Sequence, residues 1–316
     1  CVDQLYIKKN KYTIEALMQA FEELTIPYMH SKQADSKLFL RAFEIYQSDL
    51  YSYNDDYEML AFEKAVQSFF EGTSKDFSKM GTETQLKEIS LEDLYQYYIK
   101  VQKEEEITMI TGNVPLIALN EKQKITPKEN FQFKERKNIK NTIHHPLTTK
   151  QCYLEVIFDH QIFADDPLYA SMIVLNYIFG GGQFSRLFCD VREKLGLCYS
   201  ISSSYLVTSG ILVVSCSTEK QKIEQVLTSI NQVFESLLEN ISLKEVKESI
   251  LALKTEEQDY IETAIYTYLT KHYFLDYLSI EEEIEAIQKV SLTTLKKAYQ
   301  KIKCSLVYTL GGDADV

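Results

Sequence analysis

One unit is written twice in this chain, and the repeat limits what the chain can fold into. Residues 89–113 read ISLEDLYQYYIKVQKEEEITMITGN, and residues 290–312 read VSLTTLKKAYQKIKCSLVYTLGG. Each begins with a serine suited to cap a helix (Ser90, Ser291), continues as an amphipathic helical pattern, and ends in a short apolar strand closed by glycine (Gly112, Gly311). Looser helical correspondences precede them, 13–24 with 221–238 and 35–70 with 242–277. A mixed α+β unit therefore occurs twice. The second copy carries more in front: a strand at 152–159, a helix near 167–179, another at 184–195, and a hairpin of strands 198–207 and 211–217 turning at Thr208-Ser209-Gly210. The first copy offers only a strand near 2–8, so the comparison implies that roughly 70 residues of its front are absent.

Residues 114–143 are polar and lysine-rich without strong periodicity, and they read as a linker. The expected division is thus a truncated first unit at 1–113, a linker at 114–143 and a second unit at 144–316.

Composition excludes several classes of function. A formal charge of -12 disfavours nucleic acid and anionic membrane surfaces as partners, because both attract basic protein surface. Nothing resembles a run of about 18 apolar residues, and no secretory apolar core opens the chain. The six cysteines (Cys1, Cys152, Cys189, Cys198, Cys216, Cys304) include no C-x-x-C pair and read as reduced core residues of a cytoplasmic protein. Cys1 in place of Met points to a fragment or a processed product.

The segment 180–200, GGGQFSRLFCDVREKLGLCYS, carries the chemistry. Phe184, Leu187, Phe188, Val191 and Leu195 recur at helical spacing and predict one inward apolar face. Arg192 flanks that face, Gly196 is placed to end the helix in a left-handed cap, and Tyr199 opens a strand. A guanidinium and a phenol on a rigid helix–strand corner can grip a peptide carbonyl, or the oxyanion that forms from it. Arg192 and Tyr199, with Gly180, Gly181 and Gly182, are the candidate peptide-binding residues. The plain alternative is a glycine turn, a solvated arginine and a packed tyrosine. In the following strand, Ser200, Ser202 and Ser204 fall on one face, which suits either solvent or an extended peptide.

This string resembles the signature of the C-terminal domain of insulinase/pitrilysin-type metallopeptidases, where an Arg and a Tyr seven residues apart contact substrate opposite the zinc. The resemblance is strongest over 142–312 and weaker over 10–113. There YSYNDDYEM (51–59) and LEDLYQYYIK (91–100) resemble a Gram-positive bacterial branch associated with elongation factor P modification. Members of that branch occur as pairs, one partner lacking the zinc motif. The resemblance implies units that each carry a mostly antiparallel sheet with helices on one face and that close like a clamshell around a peptide-sized chamber.

The family's zinc helix carries H-x-x-E-H, two histidines sharing a face with a general-base glutamate beside them. None of His30, His144, His145, His160 and His272 has that spacing. A further ligand glutamate would fall in SKLFLRAFEIYQSDL, where the preferred register puts Ala42. Glu44 is two residues off, about 200° around a helix. No phosphate loop or nucleophilic triad replaces the motif. The chain is therefore expected to lack zinc itself, the metal belonging to a partner or to an absent N-terminal segment. The leading expectation is a zinc-less subunit that binds peptide beside a zinc-bearing homologous subunit or in a homodimer. A scaffold of the same fold and a truncated active endopeptidase stay open as alternatives. Tyr95, Tyr97 and Tyr98 are expected in core packing, and Glu104–Glu106 and Glu281–Glu283 as solvated helix ends.

Overall fold

The computed structural model of the chain describes residues 36–101, 132–137, 141–257 and 277–313, together with 13, 16, 260, 262, 263, 265–267 and 270. The expected strand near 2–8, most of the helix at 13–24, the strand closing the first copy and most of the linker lie outside these residues, as do Cys1, His30, Glu104–Glu106 and His272. Before the linker stand helices α1 (Ser36–Asp55), α2 (Tyr57–Phe69), α3 (Glu83–Glu88) and α4 (Leu91–Val101). The chain divides into two compact units, one of residues 1–54 and 79–108, the other of 55–78 and 109–316.

In the first unit the Tyr51 hydroxyl on α1 donates to the Glu83 carboxylate at the start of α3 (2.9 Å). Thr82 and Gln85 form a reciprocal capping box there. Ser90 caps α4 as its position predicts, accepting from the Asp93 N–H (3.1 Å). Tyr97 on α4 departs from the expected core packing: it is exposed, while Tyr95 and Tyr98 are half-buried.

The second unit is built on one sheet. Its elements are β1 (Thr142–His145), β2 (Gln151–Asp159), α5 (Tyr169–Asn176) running into a π-helical turn Tyr177–Gly181, α6 (Leu187–Lys194, also π-helical), β3 (Ser200–Leu206), β4 (Ile211–Glu219), α7 (Ile223–Glu235), α8 (Leu243–Glu257), α9 (Ile280–Lys289), α10 (Leu292–Lys301) and β5 (Lys303–Gly311). The strand order is β1-β5-β2-β4-β3. Only β1 with β5 is parallel; the other pairs are antiparallel, so the mixed α+β architecture is the one expected. The β3–β4 hairpin turns through Val207–Ser209 and closes on Gly210 at φ 60°, where a Cβ would be strained.

Both faces of the sheet are covered. Leu154, Val156, Phe158, Leu212 and Val214 pack under α5 to α10 on one side. Tyr153, Ile157, Ile211, Val213, Leu306, Tyr308 and Leu310 pack on the other against Ala61, Ala65 and Phe69 of α2. This is why β2 reads CYLEVIF, a nearly unbroken apolar run and not an alternation. Helix α2 belongs to the first copy by sequence, yet it lies in the second compact unit. Arg136 reinforces the same layer: its guanidinium holds Asp159 (2.9 Å) and lies over the rings of Phe69 and Phe70.

The acidic run Glu281–Glu283 is not simply a solvated helix end. Glu282 closes a capping box with Ser279, and Glu283 is largely buried, paired with Lys254 (2.9 Å) and accepting from the Tyr169 hydroxyl (2.5 Å). The half-buried Lys254 ammonium gives the acid its partner.

Candidate functional site

The corner between α6 and β3 forms as its sequence predicts, with a different pitch. Leu187 and Val191 are buried, four apart, as anchors of α6. Phe184 and Leu195, expected on the same inward face, are instead exposed (79% and 56%). The helix starts only at Leu187, so Phe184 precedes it and Leu195 is its cap, and the π-helical turns do not carry the α-helical face out to either end. Gly196 takes the left-handed conformation (φ 61°), and its N–H bonds the Arg192 carbonyl (3.1 Å).

Tyr199 then enters the sheet, its N–H donating to the Ser217 carbonyl (2.8 Å). Its side chain is exposed, and its hydroxyl donates to Glu219 (3.3 Å), which also receives Lys222 (2.8 Å). Lys222 holds the Glu219 carboxyl below its ordinary range, with a smaller contribution from Tyr199. Arg192 is partly exposed, its guanidinium 4.9 Å from the Phe188 ring centre and 3.8 Å from the Glu193 carboxylate. No hydrogen bond joins Arg192 to Tyr199; each keeps its own acidic neighbour, and neither is sealed in the core.

The three glycines end the preceding helix. A side chain on Gly180 would meet the Ser203 backbone N at 2.7 Å, so this buried glycine lets α5's π-helical extension lie against β3. Gly182 closes the turn by donating to the Tyr177 carbonyl (3.0 Å), and Gly181 is exposed. Packing thus accounts for Gly180, and Gly181, though exposed, has no room for a Cβ beside Asn176 (2.6 Å). On β3, an edge strand, Ser200, Ser202 and Ser204 are on the open face, and Ile201 and Ser203 are buried.

Among the described residues no group of three or more His, Cys, Asp or Glu is arranged to hold a metal ion. The described histidines have other work. His144 contacts Thr309 (2.9 Å) and Asp313 (3.2 Å). His160 is buried, its Nδ1 accepting from the Ile162 N–H, and burial pushes its pKa down to about 4. His145 is exposed on β1. Ala42 and Glu44 both lie on α1, and both are exposed. No helix among the described residues is long and apolar enough to cross a membrane.

One group escaped the sequence reading. Glu155 interrupts the apolar run of β2 and is buried beneath α2, accepting from the Ser215 hydroxyl (2.6 Å). A carboxylate within a two-faced buried strand was the available signal.

The family profile described as the peptidase M16 inactive domain matches residues 88–253, more than half of the chain and including the whole α6–β3 corner. The chain belongs to the peptidase M16 family. Its M16 relatives include the Bacillus subtilis protein named "Probable inactive metalloprotease YmfF", 22% identical over 98% of this chain and 76% of that protein. The "Uncharacterized zinc protease YmxG" of the same organism is 25% identical over 73% of this chain, which spans only 58% of it. A Helicobacter pylori relative named "Non-peptidase homolog YmxG" is 24% identical over 78% of this chain and 61% of its own length. Among solved structures, a conserved protein from Enterococcus faecalis V583 shares the fold with a TM-score of 0.76 at 24% identity, over 90% of this chain and 70% of that one. A peptidase M16 inactive domain from Pseudomonas fluorescens does so with a TM-score of 0.60 at 19% identity, over 90% and 72%. The matched profile is the family's inactive domain and one relative is named a probable inactive metalloprotease: this is a homologue of inactive M16 peptidases.

Proposed function

We propose that this chain is a non-catalytic subunit of a peptidase. It forms one wall of a peptide-binding chamber, and a zinc-bearing homologous subunit carries out hydrolysis. The observation that carries this reading is the α6–β3 corner. Arg192 and Tyr199 are both open to solvent, and exposed Phe184 and Leu195 lie in the same segment. Arginine and tyrosine beside apolar side chains are the groups that anchor buried contacts. Arg192 donates charge-assisted hydrogen bonds to a substrate carbonyl or its developing oxyanion, and the Tyr199 hydroxyl donates another. The open serine face of β3 leaves room beside them for an extended backbone. Paired subunits are what membership of this family implies. The compartment is the cytoplasm, and the two copies of the repeat, 1–113 and 144–316, are joined by 114–143.

The test is reconstitution. The purified chain is mixed with a zinc-bearing M16 subunit from the same source, and peptide cleavage and assembly are both measured. Arg192→Ala is expected to cut turnover about 100-fold or more while the pair still co-elutes. Unchanged turnover in an assembled pair refutes the role.

One observation favours a second reading, a scaffold that binds without assisting chemistry. A relative is named a non-peptidase homolog, and a complex III structure from Candida albicans shares the fold with a TM-score of 0.63. A scaffold assembles with its partner but leaves the partner's turnover unaltered by Arg192→Ala. Zinc bound by the chain alone would support neither reading.

A further inference from the structure

A polar strip crosses the sheet toward its β3 edge, and the strand register lays out its groups. Glu155 of β2 stands opposite Ser215 of β4, and Ser215 stands opposite Ser202 of β3. One step along, Tyr153 stands opposite Ser217, and Ser217 opposite Ser200. Residues paired across a sheet share a face, so all six side chains lie on the side that α2 packs against. Adjacent strands are about 4.8 Å apart, so each row crosses three strands in roughly 10 Å.

The side chains close on one another. The Ser215 hydroxyl donates to Glu155 Oε2 (2.6 Å), and the hydroxyl oxygens of Ser200 and Ser217 are 2.7 Å apart. The first turn of α2 lies over the second row: the rings of Tyr57 and Tyr153 are 6.0 Å apart, and the Ser200 hydroxyl donates to Glu58 Oε1 (3.4 Å). The strip is buried at Glu155 and Ser217, each 2% exposed, and open at Glu58, Ser200 and Ser202. Two carboxylates thus meet a set of hydroxyls without a cation. Among the described residues neither Glu155 nor Glu58 has an ion pair, and Ser215 is the only group bonded to the Glu155 side chain. Glu155 Oε1 receives no hydrogen bond, although its carboxyl is held almost wholly out of water and aimed along the strip. An acid so placed calls for a counter-charge. Every polar atom offered there is oxygen, the donor set of a hard cation. The ligands are spaced by strands and the outer end admits water. That suits the irregular coordination of calcium better than the compact octahedron of magnesium.

We propose that Glu155 and Glu58, with the hydroxyls of Ser200, Ser215 and Ser217, form a calcium-binding site that clamps the start of α2 to the β3–β4 edge of the sheet. One divalent ion offsets both carboxylate charges and gives Glu155 Oε1 its partner. A proton on Glu155 is the alternative occupant, and the metal displaces it on binding. The site is structural: it joins a helix to a sheet and has no part in hydrolysis. This inference does not rest on the peptide-binding reading, since Arg192 and Tyr199 take no part in it.

The test uses the full chain, freed of metal with a chelator. Terbium, a luminescent substitute for calcium that is excited through nearby tyrosines, is titrated first, and calcium chloride is then added to displace it. Saturable emission is expected, with a calcium Kd of about 10⁻⁴–10⁻³ M, the range of sites with few ligand charges. Saturating calcium is also expected to raise the thermal midpoint by about 2–4 °C. Glu155→Gln is expected to weaken calcium binding about 10-fold or more and to remove the thermal shift. Glu58→Gln, an exposed substitution that serves should the buried one fold poorly, is expected to weaken binding several-fold. The proposal is overturned if calcium displaces no saturable terbium signal, or if magnesium competes as well as calcium. It is equally overturned if the signal survives both substitutions, which would mark scattered surface carboxylates as its source.

Discussion

Glu155 shows how one residue can set the conditions under which the sheet is stable. It lies on β2 beneath α2, 2% exposed, with the Ser215 hydroxyl as its partner and Glu58 of α2 contributing like charge. Desolvation is the largest cause, and it raises the carboxyl to about 8 from an ordinary 4.5. A raised acid pKa means that the folded state holds a proton the unfolded chain has released. Stability from this group is therefore full below about pH 4.5 and is lost as pH climbs toward 8. The loss is on the order of 4–5 kcal/mol across that window. Urea midpoints at pH 6 and pH 9 are expected to fall for the wild-type chain, and Glu155→Gln is expected to remove most of that fall. Tyr308 and Cys216 also sense this carboxyl, and because both remain in the variant, the difference isolates Glu155. An equal slope in the two proteins would assign the effect elsewhere. Glu155 was visible in the sequence only as an oddity. Its burial depends on α2, which arrives from about 100 residues earlier, and no local pattern reports that.

Elements were more legible than their contacts, because a period and a cap are local properties. The hairpin, the helix caps at Ser90 and Ser291 and the left-handed Gly196 follow from short-range rules, and each is where those rules put it. The pitch of α6 was not legible. An α-helical reading puts Phe184, Leu187, Phe188, Val191 and Leu195 inward, whereas only Leu187 and Val191 are buried. Gly180 brings the preceding helix end within contact of both Leu187 and Ser203. Gly180→Ala is accordingly expected to cost about 1–3 kcal/mol, since its Cβ would lie 2.7 Å from a strand backbone atom that cannot turn aside. Thermal unfolding of the full chain measures it. A loss of a few tenths would mean that helix and strand can separate freely. The same substitution at Gly196 acts differently: nothing lies within 4 Å of its would-be Cβ, and the cost there is backbone strain alone.

At the scale of the whole molecule, the duplication and the fold assign α2 differently, and the difference has an energetic meaning. By sequence the helix belongs to the first copy; by packing it covers the second copy's sheet, with Ala61, Ala65 and Phe69 wholly buried against it. Small alanines let the helix axis approach the sheet closely, and Phe69 fills the space at its end beside Phe70 and Arg136. A cut in the linker would therefore leave Tyr153, Ile157, Ile211, Val213, Leu306, Tyr308 and Leu310 uncovered. An apolar patch of that kind binds other apolar surfaces and aggregates. Residues 144–316 expressed alone are expected to bind a hydrophobic dye strongly and to associate, and a synthetic peptide of residues 55–78 is expected to suppress both. In the full chain, Phe69→Ala is expected to cost about 3–5 kcal/mol. A soluble, monomeric, dye-silent 144–316 fragment would show that the second copy closes its own core. Helix α2 would then be a lid on the sheet and not part of its foundation.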